Sequence, residues 1–181
     1  MPSDFSRLVG AFWEICLLRR SPEDVPASRF LFNGVVSTYC LLGVGINLVG
    51  FDFPEACVLS VSMTALLLTT LKALLLIRGN AERLRQSAIA LMGASIILFV
   101  PALVLRLWFH IIESSNAQSN AAGYVWVGLF VWELFISAHI LRHALNTRLL
   151  AGFFVSIAYV FLEFRLMYFI HQSFATTPGT G

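Results

Sequence analysis

The chain has 181 residues, of which 58% are hydrophobic and only 12% are charged, whereas about 25% of residues are charged in an ordinary soluble domain. So few ionic groups could not cover the surface of a soluble protein of this size, and the composition therefore predicts a membrane protein. The formal net charge is only +2 and the twelve cations do not form a binding stripe, so nucleic acid is not an expected partner.

The N-terminal residues 4–18 have the pattern of an amphipathic helix. The segment is too short to cross a bilayer, and Arg7 and Glu14 would be costly within it. Two placements are open: the helix lies in the cytoplasmic membrane interface with Trp13 at headgroup level, or it packs on the protein's own bundle. Its apolar stripe consists of Phe5, Leu8, Val9, Phe12, Ile15 and Cys16.

A polar segment, residues 21–28, links this helix to the first long apolar stretch. Ser21 followed by Pro22 predicts an N-cap and a single helical turn, which Pro26 then ends. Ser28 is expected to cap the next helix. Residues 1–29 are therefore predicted to form a cytoplasmic amphipathic helix and a proline-containing linker.

Five apolar stretches follow, each near the 20 or so residues that a bilayer core requires. They cover about 30–50, 56–77, 87–110, 122–146 and 149–171. The sequence thus predicts an all-α fold, a polytopic transmembrane helical bundle of five spans over residues 30–171, with a disordered tail at 172–181. A shallow re-entrant pair in place of one span is the alternative to this count.

The positions of the cations predict the orientation. An N-terminus in the cytoplasm puts ten of the twelve cations on the cytoplasmic side and leaves only Arg106 and Arg165 in outer halves of spans. The predicted location is the inner (plasma) membrane, with the C-terminus outside. Five arginines of the inner rim are expected to meet anionic lipid: Arg78, Arg83, Arg85, Arg142 and Arg148.

Ionisable side chains within the spans are candidate binding residues, because each costs several kcal/mol in hydrocarbon. Glu133 lies near the middle of the fourth span, Glu163 and Arg165 lie in the outer half of the fifth, and Arg106 lies near the outer end of the third. Glu163 and Arg165 are about 200° apart around their helix, so each needs a partner on another helix. We expect Arg165 to reach Glu133 and Arg106 to reach Glu163.

Two interpretations of these charges are open. They could form interhelical ion pairs that fix the packing, which is the interpretation we favour, or they could line a polar outward pocket for an ion, a headgroup or a quinone. His110 and His171 fall at one level near the outer interface and are the candidates for a haem. No cofactor is expected, with haem or quinone as the alternative, and no metal site is predicted.

Small residues and one proline are predicted to shape the packing. Ser87, Ala90 and Ala94 share one face of the third span, and Gly43, Gly45 and Gly50 lie in the first. Such residues allow close helix approach. Pro101 is expected to kink the third span.

The N-terminal pattern resembles that of uncharacterised proteobacterial inner-membrane proteins. The residues that carry the resemblance are Arg20, Pro22, Asp24, Pro26 and Ser28, within LLRRSPEDVPASRFLF. The five-span arrangement with a cytoplasmic N-terminus and very short final loops also resembles Yip1-type proteins. Such families imply a role in membrane organisation or an accessory role, with no catalytic residues to carry over.

The sequence contains no nucleotide-binding loop, zinc-protease helix, nucleophile elbow or redox cysteine pair, which weighs against an enzyme. Cys16, Cys40 and Cys57 are interpreted as small apolar residues. The first functional hypothesis is a non-enzymatic accessory or scaffold subunit that acts through contacts with the lipid bilayer, with other membrane proteins or with a second copy of itself. The alternatives are a small transporter or permease that uses the intramembrane charges, and a haem- or quinone-binding anchor.

Overall fold

The computed structural model describes residues 4–114 and 120–175, and in these ranges the chain is α-helical apart from turns and short links, with no strand. The predicted all-α fold is confirmed. The helices are α1 (Asp4–Cys16), α2 (Arg29–Asn47), α3 (Phe53–Ile77), α4 (Leu84–Ser114), α5 (Asn120–Ala144) and α6 (Leu149–Ala175).

Helices α2 to α6 are long and apolar enough to cross a bilayer, and they match the five predicted stretches to within a few residues. The shortest, α2, has 19 residues, or about 28 Å at 1.5 Å per residue. This is close to the roughly 30 Å of a bilayer's hydrocarbon core. The chain therefore has the fold of a multi-pass membrane protein.

The five long helices form a closed ring. They pack in the order α2, α4, α5, α6, α3 and back to α2, and α3 also contacts α4. Because the short links make successive helices antiparallel, the ring has two distinct ends. The arginine-rich end holds Arg29, Arg78, Arg83 and Arg148, and the Phe51 end holds the link between α2 and α3.

Small residues bring neighbouring helices into close contact, as predicted for Gly43 but not for Gly45, whose Cβ position has nothing within 4 Å. A Cβ on Gly43 of α2 would lie 2.5 Å from Oγ of Ser60 on α3, whose hydroxyl donates to the Cys40 carbonyl at 2.6 Å. A Cβ on Gly152 of α6 would lie 2.5 Å from the Ala138 carbonyl oxygen of α5. These glycines set the spacing of two of the helix pairs.

The apolar stripe of α1 packs on the bundle, which is one of the two placements that the sequence left open. Phe12 covers Gly93, where a Cβ would overlap the ring, and the Cys16 thiol contacts the Ala94 carbonyl oxygen at 3.7 Å. Phe12 and Cys16 are one turn apart, yet they meet adjacent residues of α4. Helix α1 therefore crosses α4 instead of running alongside it.

The segment between α1 and α2 is held through its backbone carbonyls. Trp132 Nε1 donates to the Cys16 carbonyl at 2.9 Å, and Gln86 Nε2 donates to the Val25 carbonyl at 3.1 Å. His139 Nε2 lies 3.2 Å from the Arg20 carbonyl oxygen. These contacts join the N-terminal segment to both α4 and α5.

Both predicted N-caps are confirmed. Ser21 caps a 3₁₀ turn at Pro22–Asp24, and its Oγ accepts from the Glu23 amide at 3.4 Å. Ser28 caps α2 and accepts from the Leu31 amide at 3.0 Å.

The prediction of a disordered tail from residue 172 is wrong for its first four residues, because α6 continues to Ala175. The side chains of Gln172 and Ser173 bond to Tyr168 and Phe169 one turn earlier, which keeps these polar residues within the helix. The rest of the predicted tail lies outside the described residues.

Candidate functional site

The interior of the ring holds a cavity of about 300 Å³, which all five long helices line. Its wall is mostly apolar. Glu133 of α5 and Glu163 of α6 are the two carboxylates of this wall. The structure therefore brings together two of the four intramembrane charges that the sequence singled out.

Both carboxylates lie near the middle of their helices. Glu133 is eleven residues from the Ala144 end of α5, or about 16 Å at 1.5 Å per residue. Glu163 is fourteen residues from the Leu149 end of α6, or about 21 Å. The Glu133 side chain has a large accessible surface at this depth, because it faces the cavity and not a neighbouring helix.

Two tyrosines share the cavity with the carboxylates. Tyr39 of α2 stacks on Phe99 of α4, with 5.3 Å between ring centroids and 28° between ring planes. Tyr159 lies one turn before Glu163 on α6. Its hydroxyl oxygen is buried beside the Glu163 carboxylate, although the two groups do not meet strict hydrogen-bond geometry.

The predicted pairs between Arg165 and Glu133 and between Arg106 and Glu163 do not form. In the described part of the chain, no lysine, arginine or histidine nitrogen lies within 4.0 Å of either cavity carboxylate. The side chain of Arg165 is exposed. Because Arg165 is two residues beyond Glu163, it points away from the cavity that Glu163 faces.

The Arg106 side chain instead contacts residues at the Phe51 end of the ring. Its guanidinium carbon lies 5.6 Å from the centroid of the Phe51 ring, which is the geometry of a cation–π contact. A Cβ on the neighbouring Gly50 would lie 2.9 Å from Arg106 Nη2. Arg106 therefore ties α4 to the link between α2 and α3.

The two histidines proposed for a haem have different surroundings. His171 Nδ1 lies 2.8 Å from Oε1 of the buried Glu55, and its ring meets Phe51 edge to face at 5.5 Å. His110 is exposed on α4. The two histidines do not contact each other in the described ranges, and Nδ1 of His171 is already bound to a carboxylate.

The basic rim is divided between internal contacts and open surface. Arg83 forms an ion pair with Glu23 at 3.0 Å and donates to the His143 carbonyl at 3.1 Å. Arg142 is half-buried, and its Nε atom is buried without a partner among the described residues. The side chains that remain exposed, and so open to lipid headgroups, are those of Arg78, Arg85 and Arg148.

The sequence reasoning missed Tyr39 and Tyr159 as site residues, although a signal was present. On α6, the cavity-lining residues Ser156, Tyr159 and Glu163 recur every three or four positions. This spacing places them on one helix face. A polar stripe within a span that is otherwise apolar predicts a face turned toward the bundle interior.

No protein-family model, curated protein or solved structure matches the chain. The resemblance to Yip1-type and proteobacterial inner-membrane proteins stays a prediction.

Proposed function

We propose that the protein is a small permease that binds a positively charged ligand in the cavity at the centre of its five-helix ring. The observation that carries this proposal is that Glu133 and Glu163 line one cavity midway along their spans, without an ion-pairing cation among the described residues. A carboxylate at this depth costs several kcal/mol, and two carboxylates repel each other. A cationic ligand, or protons in its absence, would balance them.

The accessory or scaffold role predicted from the sequence requires the charges to stabilise packing. Structural charges in spans are usually paired with one another. Arg106 and Arg165 are the two cations in the half of the spans nearer the Phe51 end. Arg106 contacts the Phe51 ring, and Arg165 lies exposed. This arrangement favours a binding function for the two glutamates over a packing function.

We further propose that the protein resides in the inner (plasma) membrane with its N-terminus in the cytoplasm. Ten of the twelve lysine and arginine residues belong to the N-terminal segment or to the arginine-rich half of the ring. Cytoplasmic loops carry such an excess of positive charge.

The test uses dicyclohexylcarbodiimide, an apolar reagent that modifies protonated carboxyl groups within membranes. With purified protein in nanodiscs, mass spectrometry should locate the modification at Glu133 or Glu163. A panel of cations should then be added: Na⁺, K⁺, tetramethylammonium, benzyltrimethylammonium and spermidine. At least one should slow the modification, and that cation, radiolabelled, should enter proteoliposomes in a manner that Glu163→Gln abolishes.

The matched control is Glu82→Gln, which removes an exposed carboxylate in the link between α3 and α4 and should leave protection and uptake unchanged. Failure of every cation to protect would overturn the proposal. Protection without uptake would leave a binding protein and reject the permease.

A further inference from the structure

Aromatic rings line the same cavity as the two carboxylates. Tyr39 from α2, Phe99 from α4 and Phe130 from α5 line the cavity, as do Tyr159 and Phe164 from α6. The face of an aromatic ring is negative and attracts a cation that lies within about 6 Å of its centre. The cavity thus combines full negative charge with several apolar surfaces that are themselves favourable to a cation.

The size of the cavity suits an organic ligand better than a bare metal ion. At about 300 Å³ it reaches the lower limit of the roughly 300–1,000 Å³ typical of small-molecule sites, whereas one water takes about 30 Å³. A Ca²⁺ ion needs six to eight oxygen ligands. The cavity wall is instead largely carbon, and it includes Leu67, Leu71 and Leu134.

The Tyr159 hydroxyl supplies a second polar contact next to Glu163. This buried oxygen lies beside the Glu163 carboxylate without a well-formed hydrogen bond among the described residues, so it has capacity for a further contact. A phenol oxygen can accept a hydrogen bond as well as donate one. The lone pairs of this oxygen would therefore also face the positive end of a cation bound at Glu163.

We propose that the cavity selects amphiphilic organic cations: small molecules with one ammonium group, held by Glu133 and Glu163, and an apolar body held against the rings of Tyr39, Phe99 and Tyr159. This inference rests on the proposed cation-binding function and adds the ligand class. A ligand with only a charge, or with only an apolar body, would contact only part of the site.

Three probes separate charge from bulk. Benzyltrimethylammonium carries both, tetramethylammonium carries the charge without the ring, and neopentylbenzene is the neutral carbon isostere of the first. Binding is measured in nanodiscs as protection of Glu163 from carbodiimide, with the thermal midpoint as an independent readout. Benzyltrimethylammonium should protect at concentrations at least about tenfold lower than tetramethylammonium, as expected for burial of a ring together with cation–π contacts. Neopentylbenzene should not protect.

Variants then test the aromatic contribution. Tyr39→Leu should weaken protection by benzyltrimethylammonium about tenfold, whereas Tyr39→Phe, which keeps the ring face, should retain it. Phe164→Leu is the second variant, because Phe164 is an exposed residue of the cavity wall and its replacement is compatible with folding. Arg165→Gln, which changes an exposed residue off the cavity, is the matched control and should have no effect.

The outcomes distinguish this inference from the proposed function. Equal protection by tetramethylammonium, Na⁺ or K⁺ would overturn the ligand class and leave a cation site standing. Equal protection by neopentylbenzene would reject recognition of charge and overturn both. Loss of protection in Tyr39→Leu that Tyr39→Phe shares would assign the contact to the hydroxyl and overturn the aromatic contribution.

Discussion

At the scale of single residues, close packing between α5 and α6 depends on the missing side chain of Gly152. A Cβ at this position would lie 2.5 Å from the Ala138 carbonyl oxygen, a backbone atom that cannot move without shifting α5. In a tightly packed interface such a change costs about 1–3 kcal/mol. The cavity carboxylates sit on the same two helices.

Gly152→Ala should therefore lower the thermal midpoint of the purified protein in detergent. Gly128→Ala is the matched control, because Gly128 lies on α5 with nothing within 4 Å of its Cβ position. There the alanine should be neutral or slightly stabilising, since alanine is the better helix former by about 1 kcal/mol. Equal midpoints for the two variants would contradict the assigned packing role of Gly152.

The Cys16 thiol is buried between α1 and α4, and its burial changes its reactivity. Desolvation raises the pKa of Cys16 from 9.0 to about 11, against a smaller lowering by its hydrogen bond to backbone. The thiolate is the reactive form, so a higher pKa leaves less of it at any pH below 11. Sequence reasoning that treated this cysteine as a small apolar residue is consistent with its complete burial.

Maleimide should thus modify Cys16 in the folded protein far more slowly at pH 8 than in the unfolded chain, and the rate should rise as the pH approaches 11. Alkylation followed by peptide mass spectrometry measures this rate, with the half-buried Cys40 and Cys57 as internal references. Fast modification of Cys16 at pH 8 in the folded state would show that α1 does not stay docked.

At the scale of elements, the N-terminal segment is part of the bundle and not a separate interfacial helix. Its apolar residues meet α4, and its carbonyls accept bonds from Trp132 and Gln86. The hydrophobic stripe predicts that α1 buries one face, but a bilayer and a protein groove offer that face similar surroundings. Only the Gly93 surface, shaped to receive Phe12, makes the protein groove the better partner.

Trp132→Phe should loosen this segment, because it removes the donor to the Cys16 carbonyl and keeps the aromatic ring. A hydrogen bond of this kind contributes about 0.5–1.5 kcal/mol, so amide hydrogen exchange over residues 17–20 should be up to about tenfold faster. Trp13→Phe, which alters a half-exposed ring of α1, is the control. Unchanged exchange in the Trp132 variant would indicate that the apolar contacts alone hold α1.

At the scale of the whole molecule, the ring places Glu133 and Glu163 in one cavity. Among the described residues, no cation forms an ion pair with either of them. Charges kept at a cost in stability are typical of functional sites. A structural ion pair has the opposite property, since removing one partner leaves the other buried and uncompensated.

Glu133→Gln should therefore leave the thermal midpoint in detergent unchanged or raise it, and Glu163→Gln should do the same. The amide keeps the size of the side chain and removes the uncompensated charge. The Glu82→Gln variant again provides the reference for an exposed carboxylate. A clear loss of stability in both cavity variants would favour the scaffold hypothesis and its structural interpretation of the charges.

The proposed orientation is tested by labelling single cysteines in a cysteine-free background. Asp52 and Glu82 are exposed residues in links at opposite ends of the ring. A membrane-impermeant maleimide should label Asp52→Cys in intact cells and should label Glu82→Cys only after permeabilisation. The reverse pattern would overturn the orientation.

The sequence by itself determined the five long helices, their approximate bounds and the Ser21 and Ser28 caps. These features depend on local chemistry: long apolar runs, proline, and hydroxyl side chains next to free backbone amides. It also identified Glu133 and Glu163 as unusual, because a charged residue within an apolar run is visible without knowledge of its neighbours.

Only the tertiary structure decided which charges meet. The order of helices around the ring places α6 between α5 and α3, so the faces of Glu133 and Glu163 turn toward one cavity. Arg165, two residues from Glu163, is turned away by the helical repeat, and Arg106 is drawn to Phe51. Pairing depends on the rotation of each helix about its axis, which packing at residues such as Gly43 and Gly152 sets and which no single span encodes.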